Sequence, residues 1–212
     1  MSPRTIGWFC AVATALGSAA PARAADWRFR VLLDGEVIGE HRFSIATSGD
    51  QRHVVSEADF VVKLLGIPVY RYRHRATESW RGDCLAQLES FTDDDGKVSR
   101  VHAQAAPDGR LDVTVGNATR SLGACTMSFA YWNAALRQQT TLLNVQTGRE
   151  ERVQIRRVGE AKVEVRGEPV AAQQWRLSGA AAPLDLWYSA QGEWIGLDSV
   201  VAGGRQLSYR LK

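Results

Sequence analysis

The sequence predicts an all-β domain, a curved antiparallel sheet with one short helix near residues 127–137. Three observations predict it. Nearly every segment alternates apolar with polar residues at period two, the side-chain period of a strand. Gly- and Asp-containing turns recur at short intervals, the spacing of an antiparallel meander. Only Thr126–Gln138 breaks the alternation, with Phe129, Trp132, Ala135 and Leu136 at helical spacing behind Thr126 or Ser128 as a cap.

The first element is not part of that domain. Residues 1–24 carry one early cation, Arg4, then an apolar run from Ile6 to Leu16, then Ala22-Arg23-Ala24. This is the pattern of a secretory signal cut after Ala24, and it is too short to span a bilayer. It predicts a periplasmic protein whose single domain is 25–212. No later stretch reaches the roughly 18 apolar residues of a membrane span. Loss of Arg4 and Arg23 with the leader leaves 24 basic residues against 23 acidic ones, a balance that gives no reason to expect nucleic acid. Two of the three cysteines, Cys84 and Cys125, lie beyond the leader, and in an exported chain such a pair is expected to form a disulfide.

The strands follow in order. Trp27, Phe29, Val31 and Leu33 alternate with Arg28 and Arg30 before a turn at 34–36. Runs at 37–47 and 52–65 come next, then turns at 66–68, 81–83, 93–96, 107–109 and 116–117. The loop 139–149 leads to a second β-half with turns at 166–168, 190–192 and 202–204. Each tripeptide, Arg81-Gly82-Asp83 included, reads as turn chemistry.

The hairpin through Gly66–Pro68 is the most informative element. A three-residue loop opposes Leu65 with Val69, and then Leu64 with Tyr70, Val62 with Tyr72 and Phe60 with His74, these last three pairs on one face. On the other face Asp59 meets Arg75, while Arg71 and Arg73 have no evident acid opposite them. Those arginines are either a solvated ladder or an anion site. The aromatic face has two readings as well. Phe60, Tyr70, Tyr72, His74 and Trp80, with Tyr131 or Trp132 directed at them from the helix, form a filled core or the wall of an apolar ligand cavity.

Several chemistries lack their residues. His41, His53, His74 and His102 are scattered without zinc-site spacing, and Thr92–Lys97 lacks the spacing of a calcium loop. There is no nucleophile elbow and no phosphate loop. His74 and Glu78 share a strand face as a weak acid–base pair, with Ala76 between them. The sequence therefore predicts no catalytic residue, no metal and no cofactor.

Tyr70–Lys97, then Phe129–Asn133, Gln146–Glu150 and Leu184–Ser199, together resemble an uncharacterised family of exported β-rich proteins of Proteobacteria, domains of unknown function. The resemblance covers most of the chain beyond the leader. It implies a sheet curled like a half-barrel, akin to periplasmic lipid and lipoprotein carriers, and carries no catalytic residues with it. Cys84 departs from the family pattern. Two functions follow as expectations: an envelope protein that binds an apolar or amphipathic, lipid-like ligand, or an envelope module that meets a protein partner through its sheet edges or its arginine face. The candidate ligand residues are Phe60, Tyr70, Tyr72, His74, Trp80, Tyr131 and Trp132.

Overall fold

The computed structural model describes residues 23–212. The expected leader lies outside the described residues except for Arg23 and Ala24, which open the first strand.

Alternation and turns produce one long meander. Its strands are β1 (Arg23–Leu33), β2 (Glu36–Ser48), β3 (Gln51–Leu64), β4 (Ile67–Arg81), β5 (Cys84–Asp94), β6 (Lys97–Ala105), β7 (Arg110–Val115) and β8 (Ala118–Ala124). After a crossing segment come the short strands β9 (Thr141–Leu143) and β10 (Glu150–Arg152), which pair with each other. The second meander is β11 (Gln154–Val165), β12 (Glu168–Ser178), β13 (Leu184–Tyr188), β14 (Trp194–Val201) and β15 (Arg205–Leu211). Thirteen strands form one antiparallel sheet in the order β11-β12-β13-β14-β15-β1-β2-β3-β4-β5-β6-β7-β8. The two meanders are joined where β15 pairs with β1, from Phe29↔Leu211 to Leu33↔Leu207.

The sheet curls without closing. Its edge strands are β8 and β11, and both carry mostly exposed polar or charged side chains, a common defence of free edges. Period two places Phe29, Ile45, Val54, Ala76, Leu88, Val101 and Val113 on the concave face, where all are buried. The crossing segment fills part of that concavity, contributing Met127, Ala130, Leu136, Leu142 and Leu143 to the main core. The far end of β11 bends behind the convex face, where Glu164 pairs with Arg30 at 2.6 Å and Val163 packs at Gly196.

Three expectations are corrected. The helix expected near 127–137 is a 3-10 turn at Ala134–Gln138, with the Asn133 side chain accepting from the Ala135 N–H. Thr126 and Met127 make distant bonds instead, with Leu85 N–H donating to the Thr126 carbonyl and Leu143 N–H to that of Met127, and Ser128–Asn133 follow as tight turns. Those partners compete with the local bonds of a helix.

The β3–β4 hairpin turns on two residues, Leu65 and Gly66, with Leu64 opposite Ile67. A bulge between Val62 and Lys63 then sets the register. Phe60 faces Tyr72, Ala58 faces His74, Asp59 faces Arg73 and Glu57 faces Arg75. From Val62 and Tyr70 inward the slip is two residues, so those side chains keep their predicted face while every partner changes. Arg73, with no evident acid opposite it in the predicted register, faces Asp59 on β3 and Asp93 on β5. Cys84 and Cys125 form the expected disulfide, Cα atoms 4.3 Å apart, tying the start of β5 to the end of β8.

Candidate functional site: an aromatic patch on the concave face

Two hydrophobic clusters share the concave face. The larger is covered by the crossing segment. The smaller has Val31, Ala58 and Phe60 buried at its centre, ringed by half-buried Ile38, Tyr72, Leu207 and Tyr209. It lies toward the end of the sheet that carries the β1–β2, β3–β4 and β5–β6 turns.

Register assembles this patch. Phe60 and Tyr72 are cross-strand partners and their rings stack at 5.2 Å. Tyr209 stands edge-on to Phe60 at 6.3 Å. His41 lies between them and the core, stacked on Phe43 at 4.1 Å. One of its ring nitrogens is 2.7 Å from the Ser56 hydroxyl and the other 3.4 Å from the Tyr209 hydroxyl. His74 is buried beside Tyr72, bonded to the Thr92 hydroxyl at 2.9 Å. Tyr70 closes the outer end by donating to Asp94 at 2.6 Å.

Burial sets the electrostatics. It lowers His41 from 6.5 to about 3, with the nearby His74 as a second cause, and it lowers His74 to about 4. Burial raises Tyr70, Tyr72, Tyr131 and Tyr209 above the ordinary phenol value. At neutral pH the patch therefore presents neutral rings and hydroxyls, able to donate and accept hydrogen bonds. Such a surface suits an apolar chain with one polar end.

A carboxyl sits deeper. Glu78 is buried between its strand partners Val54 and Leu88, and accepts from Trp80 Nε1 and the Ser128 hydroxyl, each at 3.0 Å. Burial raises it from 4.5 to about 7, while the two donors oppose that rise. His74 bonds to Thr92 and Glu78 to Trp80 and Ser128, so the geometry builds no acid–base pair from the two.

The convex face carries the arginines. A cleft of about 620 Å³ runs between Glu40, Glu57 and Asp59 and Arg42, Arg73 and Arg75, three acids among three bases. Arg73 lies 4.0 Å from Asp59, and Arg75 pairs with Glu57. Arg73 and Arg75 are thus answered across the strands as an exposed ladder, while Arg71 makes no side-chain ion pair among the described residues.

This geometry can be compared with known proteins. The family described as Domain of unknown function (DUF6134) matches residues 29–212. The chain belongs to the DUF6134 family. A solved structure similar to this DUF6134 protein is the crystal structure of a β-barrel-like protein of domain of unknown function DUF1849 from Brucella abortus. The two share 12% identity with a TM-score of 0.63, covering 88% of this chain and 94% of that one. At that identity the likeness is one of fold. No protein of curated function matches.

Within the DUF6134 protein the seven candidate residues fall into two groups. Phe60, Tyr70, Tyr72 and His74 come together at the patch. Trp80 is eight residues further along β4, roughly 26 Å away. Trp132 packs edge-on against Trp80 at 5.4 Å, with Arg52 over its ring, and so does not share a wall with Tyr72. Tyr131 lies between the groups, 5.3 Å from Trp194. The sequence reading missed His41, Ser56, Ile38 and Tyr209. Alternation put His41 on one face with Phe43 and Ile45, but nothing local shows that the last strand returns beside the first.

Proposed function

We propose that this DUF6134 protein is an exported envelope protein that holds an apolar or amphipathic, lipid-like ligand against the concave aromatic patch. The observation that carries the reading is the ring of half-buried Ile38, Tyr72, Leu207 and Tyr209 around buried Phe60, a cluster separate from the main core that the crossing segment fills. Partly exposed aromatic and aliphatic side chains gathered around a few polar groups make the kind of wall that a small apolar ligand binds. The leader-like N-terminus and the Cys84–Cys125 disulfide support the periplasmic address. N-terminal sequencing of protein from the envelope fraction should begin at Ala25; a chain beginning at Met1 in the cytoplasm would remove that part.

The test of binding is a titration with a fluorescent fatty-acid probe. Wild type should bind, Tyr72→Ala should weaken binding at least about tenfold, and Trp132→Ala should leave it unchanged. The tenfold figure follows from losing most of one aromatic contact. No binding by wild type would sink the carrier reading. It would leave the second reading, an envelope module for a protein partner, which the filled core beneath the crossing segment favours.

A further inference from the structure

The β3–β4 hairpin outruns its neighbours. Pairing of β3 with β2 stops at Phe60↔Gly39, and pairing of β4 with β5 stops at Tyr72↔Asp94. Val61–Tyr70 therefore stands beyond the flanking strands as a two-stranded prong, Arg71 still bonding to Asp95. Its tip is apolar and bare: Leu64, Leu65, Ile67 and Val69 are exposed, Leu65 at 95%. Three more exposed valines, Val37, Val98 and Val200, stand next to turns at the same end of the sheet.

The turn itself gives a second, independent observation. Four hairpins turn on two residues with positive φ at both: Asp34-Gly35, Leu65-Gly66, Asp95-Gly96 and Arg166-Gly167. Asp-Gly is the favoured pair for such a turn, and the chain uses it twice. At the prong it uses Leu, whose bulky side chain is strained at φ 52°. Local turn chemistry asks for a polar residue, and an apolar one stands at the outermost point of the molecule. A costly backbone conformation held in the open is the kind retained for a function.

We infer that the prong inserts its tip into the interfacial region of a lipid bilayer. The tip is convex and narrow, so a fluid surface can close around all four side chains where a rigid flat one cannot. Between Val61 and Tyr70 the single charge is Lys63, one residue behind the last strand pair, where it reaches the headgroups while the tip enters the acyl boundary. Tyr70 lies behind it, suited to the aromatic belt of an interface. The acidic turn Asp93–Asp95 sits back at the level of Arg71, with Asp94 held by the Tyr70 hydroxyl, roughly 10 Å behind Pro68 opposite Lys63, about the distance over which salt screens it from an anionic surface. Insertion would set the open end of the concave patch on the membrane. The inference stands on the prong alone and holds whether or not the patch takes a ligand.

The test is flotation of the purified protein with vesicles of phosphatidylethanolamine and phosphatidylglycerol and, in parallel, of phosphatidylcholine. Wild type should bind both, the anionic vesicles roughly fivefold more tightly through Lys63. The Leu65→Asp/Ile67→Asp variant should bind at least about tenfold more weakly. Its thermal unfolding should match wild type, because both sites are exposed and Asp tolerates the left-handed conformation at 65. Lys63→Gln should lose only the anionic preference. Absence of vesicle binding by wild type would overturn the inference, as would equal binding by the tip variant. So would a wild-type dimer that the tip variant dissolves without any binding to vesicles, since the tip would then serve a second copy. Probe titration of the tip variant separates this result from the carrier reading, because the patch is untouched.

Discussion

Glu78 shows how one side chain can carry a pH dependence. Its carboxyl is raised from 4.5 to about 7 by burial, so the stability it contributes is present below 4.5 and is lost as pH rises through about 7. His41 and His74 act in the opposite sense: held well below 6.5, they contribute stability above 6.5 that is lost as pH falls through about 4 and then about 3. Comparison with Glu78→Gln isolates the carboxyl, since Gln can still accept from Trp80 and Ser128 without ever charging. Denaturant titrations at about pH 5 and about pH 8 should show wild type losing on the order of 3 kcal/mol more than the variant across that interval. An equal change in both proteins would mean that Glu78 titrates normally. Gly148 makes a steric case. Its φ is 67°, and an added Cβ would meet Val115 at 2.5 Å and Val101 at 3.2 Å. Gly148→Ala should cost about 1–3 kcal/mol, measured by thermal unfolding.

The β3–β4 hairpin is the element where legibility can be weighed. Alternation alone placed Phe60, Tyr72 and His74 on one face and the arginines on the other, because face depends only on parity. The partners were not legible. They hang on a bulge between Val62 and Lys63 and on a Leu in a turn that prefers Asp, neither of which has a local signature. The expected helix failed for a related reason. Trp132 and Leu136 fit a helical period, yet Thr126 and Met127 bond to Leu85 and Leu143, residues remote in sequence. As for the ladder, Arg71→Ala with Arg73→Ala should change stability by less than about 1 kcal/mol, because the Arg73–Asp59 pair is exposed at 4.0 Å. A larger loss by chemical denaturation would show the convex row to be structural.

Across the whole molecule, what the sequence hid was the joining of its halves. An antiparallel all-β chain was readable from its turns, and so was the cysteine pair. The return of β15 to lie against β1, which brings Tyr209 to Phe60, has no trace in any window of the sequence. The Cys84–Cys125 bond closes a loop with a sequence separation of 41 over β5–β8. On the chain-entropy account that closure contributes roughly 3–4 kcal/mol. The Cys84→Ser/Cys125→Ser variant should unfold at correspondingly lower denaturant, and the unreduced, unfolded wild type should label no thiol at either position. Labelling at both would show the pair to be free.

The junction of β1 with β15 also sets an order in time. Strands β2 to β8 pair only with sequence neighbours, so that meander can begin to zip as soon as its hairpins exist. The β1–β15 seam joins Phe29 to Leu211 and Leu33 to Leu207, partners separated in sequence by every other strand of the fold. The first strand must therefore wait, one edge unpaired, until β15 has been delivered. The sheet stays in two parts until then. That delay leaves the edge of β1 as the place where a partly folded chain is most exposed to the wrong partner.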